Sequence, residues 1–179
     1  SHLYSSVAVV PFIRENLFDK DLIVSAPDMG AAKRAKAYSQ YLHTDMVICY
    51  KYRAEANKIK EMKVIGSVEG KDVLIVDDLI DTAGTLCKCA DMLIEKGAKS
   101  VMAAVTHPIL SGEAYENLAN SKLEKLIVTN SIPITSSKFH YDEQYRGYAK
   151  IEVVDVAPLF ASVIKNIENH TSISANFLI

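Results

Sequence analysis

The chain of 179 residues is long enough for one domain, residues 1–179, with a sizeable hydrophobic core. Its 20 Lys and Arg residues nearly balance 22 Asp and Glu residues, which argues against nucleic-acid binding by phosphate neutralisation, and no apolar run approaches the ~20 residues that span a bilayer. Three cysteines cannot form the disulfide framework of a small secreted protein, so a cytoplasmic globular domain without nucleic-acid or membrane partners is expected.

Short apolar runs recur along the chain and predict β-strands. They are too short for helices, and most of them contain no polar residue, which is typical of strands buried on both faces of a parallel sheet. In chain order these runs are residues 22–26, 46–50, 73–76, 101–105, 126–128 and 151–154.

Amphipathic segments between these runs predict helices. Apolar positions recur at helical spacing in residues 31–42, 86–94, 114–119 and 159–167. The second of these segments ends at Lys96 and Gly97, a cation followed by a residue that tolerates positive φ, which is a helix stop. The alternation predicts an α/β fold, with an open, mostly parallel sheet flanked by helices and right-handed crossovers.

Two polar segments interrupt this alternation. Residues 51–63 are basic and lack an apolar stripe, so they predict a mobile loop that leads into an apolar segment at residues 64–68. Residues 135–150 are polar apart from four aromatic side chains. We expect a surface hairpin there rather than a partner surface.

Residues 73–85 combine a strand with a polar turn, in the sequence V-L-I-V-D-D-L-I-D-T-A-G-T. The strand delivers two adjacent carboxylates, Asp77 and Asp78, to the carboxyl edge of the sheet, where open α/β sheets bind ligands. The turn opens a helix whose first backbone N–H groups and dipole favour a phosphate group. Its members are Asp81, Thr82, Ala83, Gly84 and Thr85.

The arrangement of these two features suits a sugar phosphate. Carboxylates one sugar length from the turn can accept hydrogen bonds from vicinal hydroxyls, and Thr82 and Thr85 can add hydroxyl donors to a bound phosphate. The region therefore predicts a cradle for ribose 5-phosphate. The residues alone leave open the alternative of a helix N-cap preceded by two solvated aspartates.

The same stretch resembles the phosphoribosyl pyrophosphate signature shared by type I phosphoribosyltransferases and ribose-phosphate pyrophosphokinases. Five further motifs resemble those of the pyrophosphokinases alone: P-D-M-G-A-A-K-R at 27–34, K-Y-R with A-N at 51–57, T-H-P with S-G at 106–112, T-N-S-I-P at 129–133, and S-I-S with Phe at 172–177. In this order they make the chain similar to the carboxy-terminal half of that family, with a type I phosphoribosyltransferase-like fold.

The resemblance implies a transferase reaction of nucleotide biosynthesis. The anomeric hydroxyl of ribose 5-phosphate attacks the β-phosphate of ATP, and AMP leaves. The resemblance assigns Lys51 and Arg53 to stabilising the transferring group, Asp28 to binding Mg²⁺, and Ser172 and Ser174 to an allosteric phosphate or ADP site. It also implies a homo-oligomer of dimers that build into hexamers.

The resemblance covers only half of a two-domain enzyme. The absent half would carry the loop that closes over ATP and much of the adenine site, so we expect this chain alone to be an inactive fragment. Ala31 stands where the family has a second glycine, a change that would cost about 1 kcal/mol if the position required positive φ. Ser67 stands where the family has an aspartate.

Other interpretations of these residues stay open. Lys51 and Arg53 also fit a solvated basic loop, and Asp28 fits a turn after Pro27. The alternative functions are a type I phosphoribosyltransferase that moves the ribosyl phosphate to a base, and a non-catalytic regulatory homologue that keeps the sugar phosphate site.

Overall fold

A computed structural model describes residues 3–17, 20–52, 61–134 and 142–174, with the backbone only at residues 51, 52, 61 and 142–144. Strands and helices alternate along most of this part of the chain. The strands are β1 (Leu22–Ala26), β2 (Met46–Tyr52), β3 (Glu61–Ile65), β4 (Asp72–Ile80), β5 (Ser100–Pro108), β6 (Lys125–Thr129) and β7 (Ile151–Val154). The helices are α1 (Ser6–Asn16), α2 (Ala32–Leu42), α3 (Gly84–Glu95), α4 (Ala114–Asn120), α5 (Asp142–Ala149) and α6 (Ala157–Glu168).

The strands form one sheet in the order β3-β2-β1-β4-β5-β6-β7. Every neighbouring pair is parallel except β2 and β3, which are antiparallel. The predicted open, mostly parallel sheet flanked by helices is therefore confirmed. No helix in the described ranges is long and apolar enough to cross a bilayer.

The central strand β4 is buried on both faces. Val73 and Ile75 pack into an apolar layer that includes Leu93 of α3, whereas Leu74 and Val76 pack into a layer that includes Ile13 of α1. Because both faces are covered by apolar side chains, a polar residue of β4 can reach solvent only where the strand leaves the sheet.

The parallel pairing brings the carboxyl ends of several strands to one edge. β4 and β5 both extend past their neighbours, and their last pairs are Leu79 with His107 and Ile80 with Pro108. At the opposite edge Asp72 pairs in register with Leu22 of β1 and Ser100 of β5. Since these strands are parallel, the loops that follow them all leave the sheet at its carboxyl edge.

The polar segments were predicted wrongly where the structure describes them. Residues 61–63, expected in a loop, belong to β3, in which Met62 and Val64 pack on the core while Lys63 and Ile65 are exposed. Because only one face of this edge strand is covered, only every second residue has to be apolar, and the sequence pattern is weak. The strand also ends at Ile65, so residues 66–68 do not extend it. The predicted mobility of residues 53–60 lies outside the described residues.

The expected hairpin over residues 135–150 is also wrong, because residues 142–149 form α5. This helix lacks an apolar stripe since its close contact with α4 is made by Gly147, which is buried against the backbone of Tyr115. Residues 135–141 lie outside the described residues. Helix α1, which buries Val9, Val10 and Ile13, was not predicted at all.

The contact between α5 and α4 predicts an unusual effect for Gly147→Ala. At an exposed helix position this change stabilises a protein by about 1 kcal/mol. Here the new Cβ would overlap the carbonyl oxygen of Tyr115, and displacing a packed helix costs roughly 1–3 kcal/mol. We expect a net loss of stability in urea unfolding. A variant more stable than the parent would show that α5 does not pack in this way.

Candidate active site

Two adjacent carboxylates mark the end of β4, and one arginine contacts both of them. The Nη1 atom of Arg34 donates a hydrogen bond to Asp77 Oδ1 at 3.1 Å, and Nη2 lies 3.0 Å from Asp78 Oδ2. The backbone N–H of Asp78 also donates to Asp77 Oδ1, at 2.8 Å. The sequence analysis predicted the two aspartates at this edge but gave Arg34 no role.

The two carboxyl groups have different pKa values. Burial raises the pKa of Asp77 to about 6, helped by the adjacent Asp78 carboxyl and opposed by the hydrogen bond from the Asp78 backbone N–H and by the Arg34 charge. Burial also acts to raise the pKa of Asp78, but the Arg34 charge and its hydrogen bonds outweigh this and lower it. Above about pH 6 both groups are ionised, so together they present hydrogen-bond acceptors to a ligand.

The turn from Asp81 to the start of α3 lies directly beyond these carboxylates. Ala83 adopts a left-handed conformation, with φ of 63°, and precedes the first residue of α3, Gly84. The first N–H groups of a helix have no partner inside it and carry the positive end of its dipole. The turn of Asp81, Thr82, Ala83, Gly84 and Thr85 therefore leads into a helix start close to Asp77 and Asp78, a position that favours an anion. That these residues bind a phosphate stays a prediction.

Two side chains from the segment after β5 hold this turn. The Ser111 hydroxyl donates to Asp81 Oδ1, and Asn117 Nδ2 donates to the Thr82 carbonyl oxygen at 2.9 Å. Sequence analysis missed the role of both residues. Ser111 lies in the quoted S-G pair, which was a signal for it, whereas nothing local distinguishes Asn117 on α4.

Asp28 lies in the loop between β1 and α2, at the same edge. Its Oδ1 atom accepts a hydrogen bond from the N–H of Ala31 at 3.1 Å, so it shapes the turn into α2, as one of the two interpretations predicted. The carboxylate is exposed and can face a ligand as well. Ala31 has φ of −83° and is buried, so the second glycine of the family pattern is not required here.

The ends of β5 and β6 bring two further motifs together. Nδ1 of His107 lies 2.9 Å from the Ser131 hydroxyl, and that hydroxyl donates to the Thr106 carbonyl oxygen at 3.1 Å. Thr129 Oγ1 donates to the same oxygen at 2.7 Å. The T-H-P and T-N-S-I-P motifs thus form one hydrogen-bonded corner at the carboxyl edge.

Four of the predicted residues, Lys51, Arg53, Ser172 and Ser174, are not described in contact with this group. The backbone of Lys51 lies near the end of β2, which runs parallel to β1, but its side chain and all of Arg53 lie outside the described atoms. Ser172 and Ser174 follow α6 and contact each other, with 2.6 Å between their hydroxyl oxygens. Among the described residues no cluster of three or more His, Cys, Asp or Glu side chains could hold a metal ion.

Comparison with known proteins gives one family. The model of the phosphoribosyl synthetase-associated domain matches residues 51–178. The chain is 43% identical over 176 residues to a ribose-phosphate pyrophosphokinase of Helicobacter hepaticus, covering 98% of this chain and 53% of that protein. It is 43% identical over 173 residues to the Porphyromonas gingivalis enzyme of the same name, covering 97% and 52%.

Two solved structures show where the fold belongs. Phosphoribosylpyrophosphate synthetase from Mycobacterium smegmatis superposes with a TM-score of 0.81 at 30% identity, over 95% of this chain and 52% of that one. The adenine phosphoribosyltransferase of Giardia lamblia has a TM-score of 0.57 at 16% identity, over 69% and 76%, which shows a shared fold only. The chain spans about half the length of the curated relatives it matches.

The turn predicts that inorganic phosphate binds at residues 82–85 and that Gly84→Val weakens it. A Cβ at Gly84 would meet only Thr82 Oγ1, at 3.9 Å, so the protein tolerates it, but the side chain would fill the space in front of the N–H groups. We expect roughly tenfold weaker binding or more, the loss of one hydrogen bond to a charged group.

Calorimetric titration with phosphate measures this change, and an unaltered thermal unfolding midpoint serves as the control for folding. Equal phosphate affinity in the parent and the Val variant would rule out this turn as the anion site.

Proposed function

The chain belongs to the phosphoribosyl synthetase-associated domain family, and on that basis we propose that it is the ribose 5-phosphate half of a ribose-phosphate diphosphokinase. The enzyme would transfer the pyrophosphoryl group of ATP to ribose 5-phosphate and yield phosphoribosyl pyrophosphate and AMP. The resemblance inferred from the motifs is confirmed at the level of the family. One observation carries the proposal: in a chain of this family, the carboxylates of Asp77 and Asp78 and the turn at residues 81–85 lie at the same edge of the sheet.

In this proposal the substrate lies along the carboxyl edge of β4. The 5-phosphate binds the N–H groups of residues 82–85, and the ring hydroxyls donate to Asp77 and Asp78. Both carboxylates are ionised above about pH 6, which suits acceptors of hydroxyl hydrogen bonds. The bound sugar then presents its anomeric hydroxyl away from the turn, toward the loops that follow β1 and β2.

The chemical step is an in-line displacement at phosphorus. The anomeric oxygen forms a bond to the β-phosphorus of ATP while the bond from that phosphorus to the α,β-bridging oxygen breaks, and AMP leaves. Such a reaction depends on positioning and on neutralising the charge that develops on the transferring group. We assign that role to Lys51 as a point charge and to Arg53 as a bidentate donor.

The topology supports this assignment of Lys51. β2 is parallel to β1, and Ala26, the last residue of β1, pairs with Ile48. Lys51 therefore lies beyond the end of β1, at the edge that also carries Asp28 and Asp77. This position of the Lys51 backbone supports a role for Lys51 toward phosphates bound at that edge.

A magnesium ion fits this edge through one protein ligand. Asp28 offers an exposed carboxylate, the hard oxygen ligand that Mg²⁺ prefers, and Mg²⁺ commonly takes one or two carboxylates together with substrate phosphates and water. When bound, Mg²⁺ supplies charge neutralisation for the ATP phosphates. The Asp28 side chain also shapes the turn into α2, so the same residue orders the local backbone.

The remaining parts of the proposal come from the family. Because the chain matches about half of its relatives' length, the unmatched half is proposed to cover ATP, and the chain alone is proposed to be inactive. A cytoplasmic homo-oligomer of dimers or hexamers and an allosteric role for Ser172 and Ser174 belong to the same proposal. The 43% sequence identity to a ribose-phosphate pyrophosphokinase favours this function over that of a phosphoribosyltransferase, because the adenine phosphoribosyltransferase structure shares only the fold with this chain.

A full-length protein that carries this chain should form AMP from ATP and ribose 5-phosphate in the presence of Mg²⁺. Lys51→Ala or Arg53→Ala should lower kcat about 100- to 1,000-fold, because these cations meet charge that is present chiefly in the transition state. The KM for ribose 5-phosphate should change little. Steady-state kinetics with AMP detection measures both constants, and Lys36→Ala on the exposed side of α2 is the control.

A normal kcat with a raised KM would move the two cations from catalysis to binding. Pyrophosphate release with a purine or pyrimidine base would instead identify a phosphoribosyltransferase. Absence of any turnover in the full-length protein, with ribose 5-phosphate still bound, would identify a non-catalytic homologue.

A further inference from the structure

We propose that Arg34 is the positioning residue of the sugar site, and that its guanidinium holds the Asp77 and Asp78 carboxylates together so that both can accept hydrogen bonds from one ribose. This inference rests on the proposed function, because the ribose is the substrate assigned above. It adds a third residue to the acidic pair and gives that residue a role distinct from phosphate binding.

The geometry of a strand explains why Asp77 and Asp78 need a third residue to hold them together. Asp77 and Asp78 are consecutive residues of β4, and consecutive side chains of a strand point to opposite faces. The pattern holds for the residues before them, since Ile75 packs on one face and Val76 on the other. Two adjacent carboxylates would also repel each other when ionised. Neither effect favours their meeting at one ligand.

Arg34 overcomes both effects. Its two terminal nitrogens lie 3.1 Å from Asp77 Oδ1 and 3.0 Å from Asp78 Oδ2, so one planar fork joins both groups and supplies a positive charge between them. The contacts are made by Asp77 Oδ1 and Asp78 Oδ2, and in the proposal the ribose hydroxyls donate to the two carboxylates that Arg34 holds side by side. A lysine at this position would supply the charge without the two-pronged geometry.

The arginine is itself well anchored by α2. Its neighbour Ala35 is fully buried, and Tyr38, one turn later, is 5% exposed. Tyr38 hydrogen-bonds Ser5 of the segment before α1, and burial raises its pKa to about 12. These residues fix the helix that carries Arg34 against the core, and the contacts with Asp77 and Asp78 hold the guanidinium itself.

The charged and titratable groups around Asp77 come from several elements. Arg34 of α2 and Asp78 of β4 are in direct contact with it, β5 places His107 beside Leu79, and the charge of Asp77 acts on Cys89 of α3. The hydrogen bond to Cys49 raises the pKa of the Cys89 thiol, and Asp28 and Asp77 raise it further. Among these groups Arg34 is the cation that lowers the pKa of Asp77.

The test compares Arg34→Gln, Arg34→Lys and the control Lys36→Gln in the 179-residue chain. Lys36 lies two residues further along α2 and is exposed, so its variant changes net charge equally. Carbon NMR titration of the aspartate carboxyls should show the Asp77 midpoint moved upward in Arg34→Gln, largely restored in Arg34→Lys, and unchanged in the control.

Binding of ribose 5-phosphate by calorimetry gives the second measurement. Arg34→Gln should weaken it roughly ten- to hundredfold at pH 7.5, and Arg34→Lys should remain several-fold weaker despite its charge. Affinity in the parent should fall as pH drops through about 6, since Asp77 then becomes protonated. Affinity for inorganic phosphate should be equal in all four proteins.

An Asp77 midpoint that does not move in Arg34→Gln overturns the proposal, as does parent-like ribose 5-phosphate binding in that variant. A parallel loss of inorganic phosphate binding also overturns it, because Arg34 would then contact the phosphate directly. If no protein, the parent included, binds ribose 5-phosphate, the proposed function is contradicted. In that case an Asp77 midpoint that moves in Arg34→Gln still supports the interaction of Arg34 with the two carboxylates.

Discussion

The structure depends on how strand β4 is buried. Apolar layers cover both of its faces, and β1 and β5 hydrogen-bond along both of its edges. Its first residue, Asp72, is fully buried and accepts a 2.6 Å hydrogen bond from Ser100, with Lys99 3.6 Å away. The strand is thereby held in register at its start, and its remaining polar residues, Asp77 and Asp78, lie where it leaves the sheet. That constraint places the acidic pair, and with it the proposed sugar site, at the carboxyl edge.

The site beyond this strand combines local strain with external support. Ala83 has a left-handed backbone, which costs a residue with a side chain roughly 1–2 kcal/mol. The turn is held in that shape by Ser111 and Asn117 from the segment after β5. Arg34 supports the carboxylates from the other side of the sheet. The residues assigned to substrate therefore belong to β4 and α3, while those that position them come from α2 and from the segment after β5.

Features that depend on neighbouring residues were predictable from the sequence. Six of the strands follow from short apolar runs, and the acidic pair and the turn follow from one thirteen-residue stretch, residues 73–85. Features that depend on distant contacts were not. Arg34 meets Asp77 across 43 positions of the chain, and α5 packs through Gly147, a residue that contributes nothing to a hydrophobic pattern. The edge strand β3 was missed because only one of its faces is covered.

The most direct test of the account compares three ligands on the 179-residue chain by calorimetry at pH 7.5: ribose 5-phosphate, 2-deoxyribose 5-phosphate and ribose. If the turn binds the phosphate while Asp77 and Asp78 bind the ring hydroxyls, both analogues should bind at least roughly tenfold more weakly than ribose 5-phosphate, since each loses hydrogen bonds to charged or dipolar groups. Equal affinity for 2-deoxyribose 5-phosphate would contradict the role of the acidic pair, and equal affinity for ribose would contradict that of the turn.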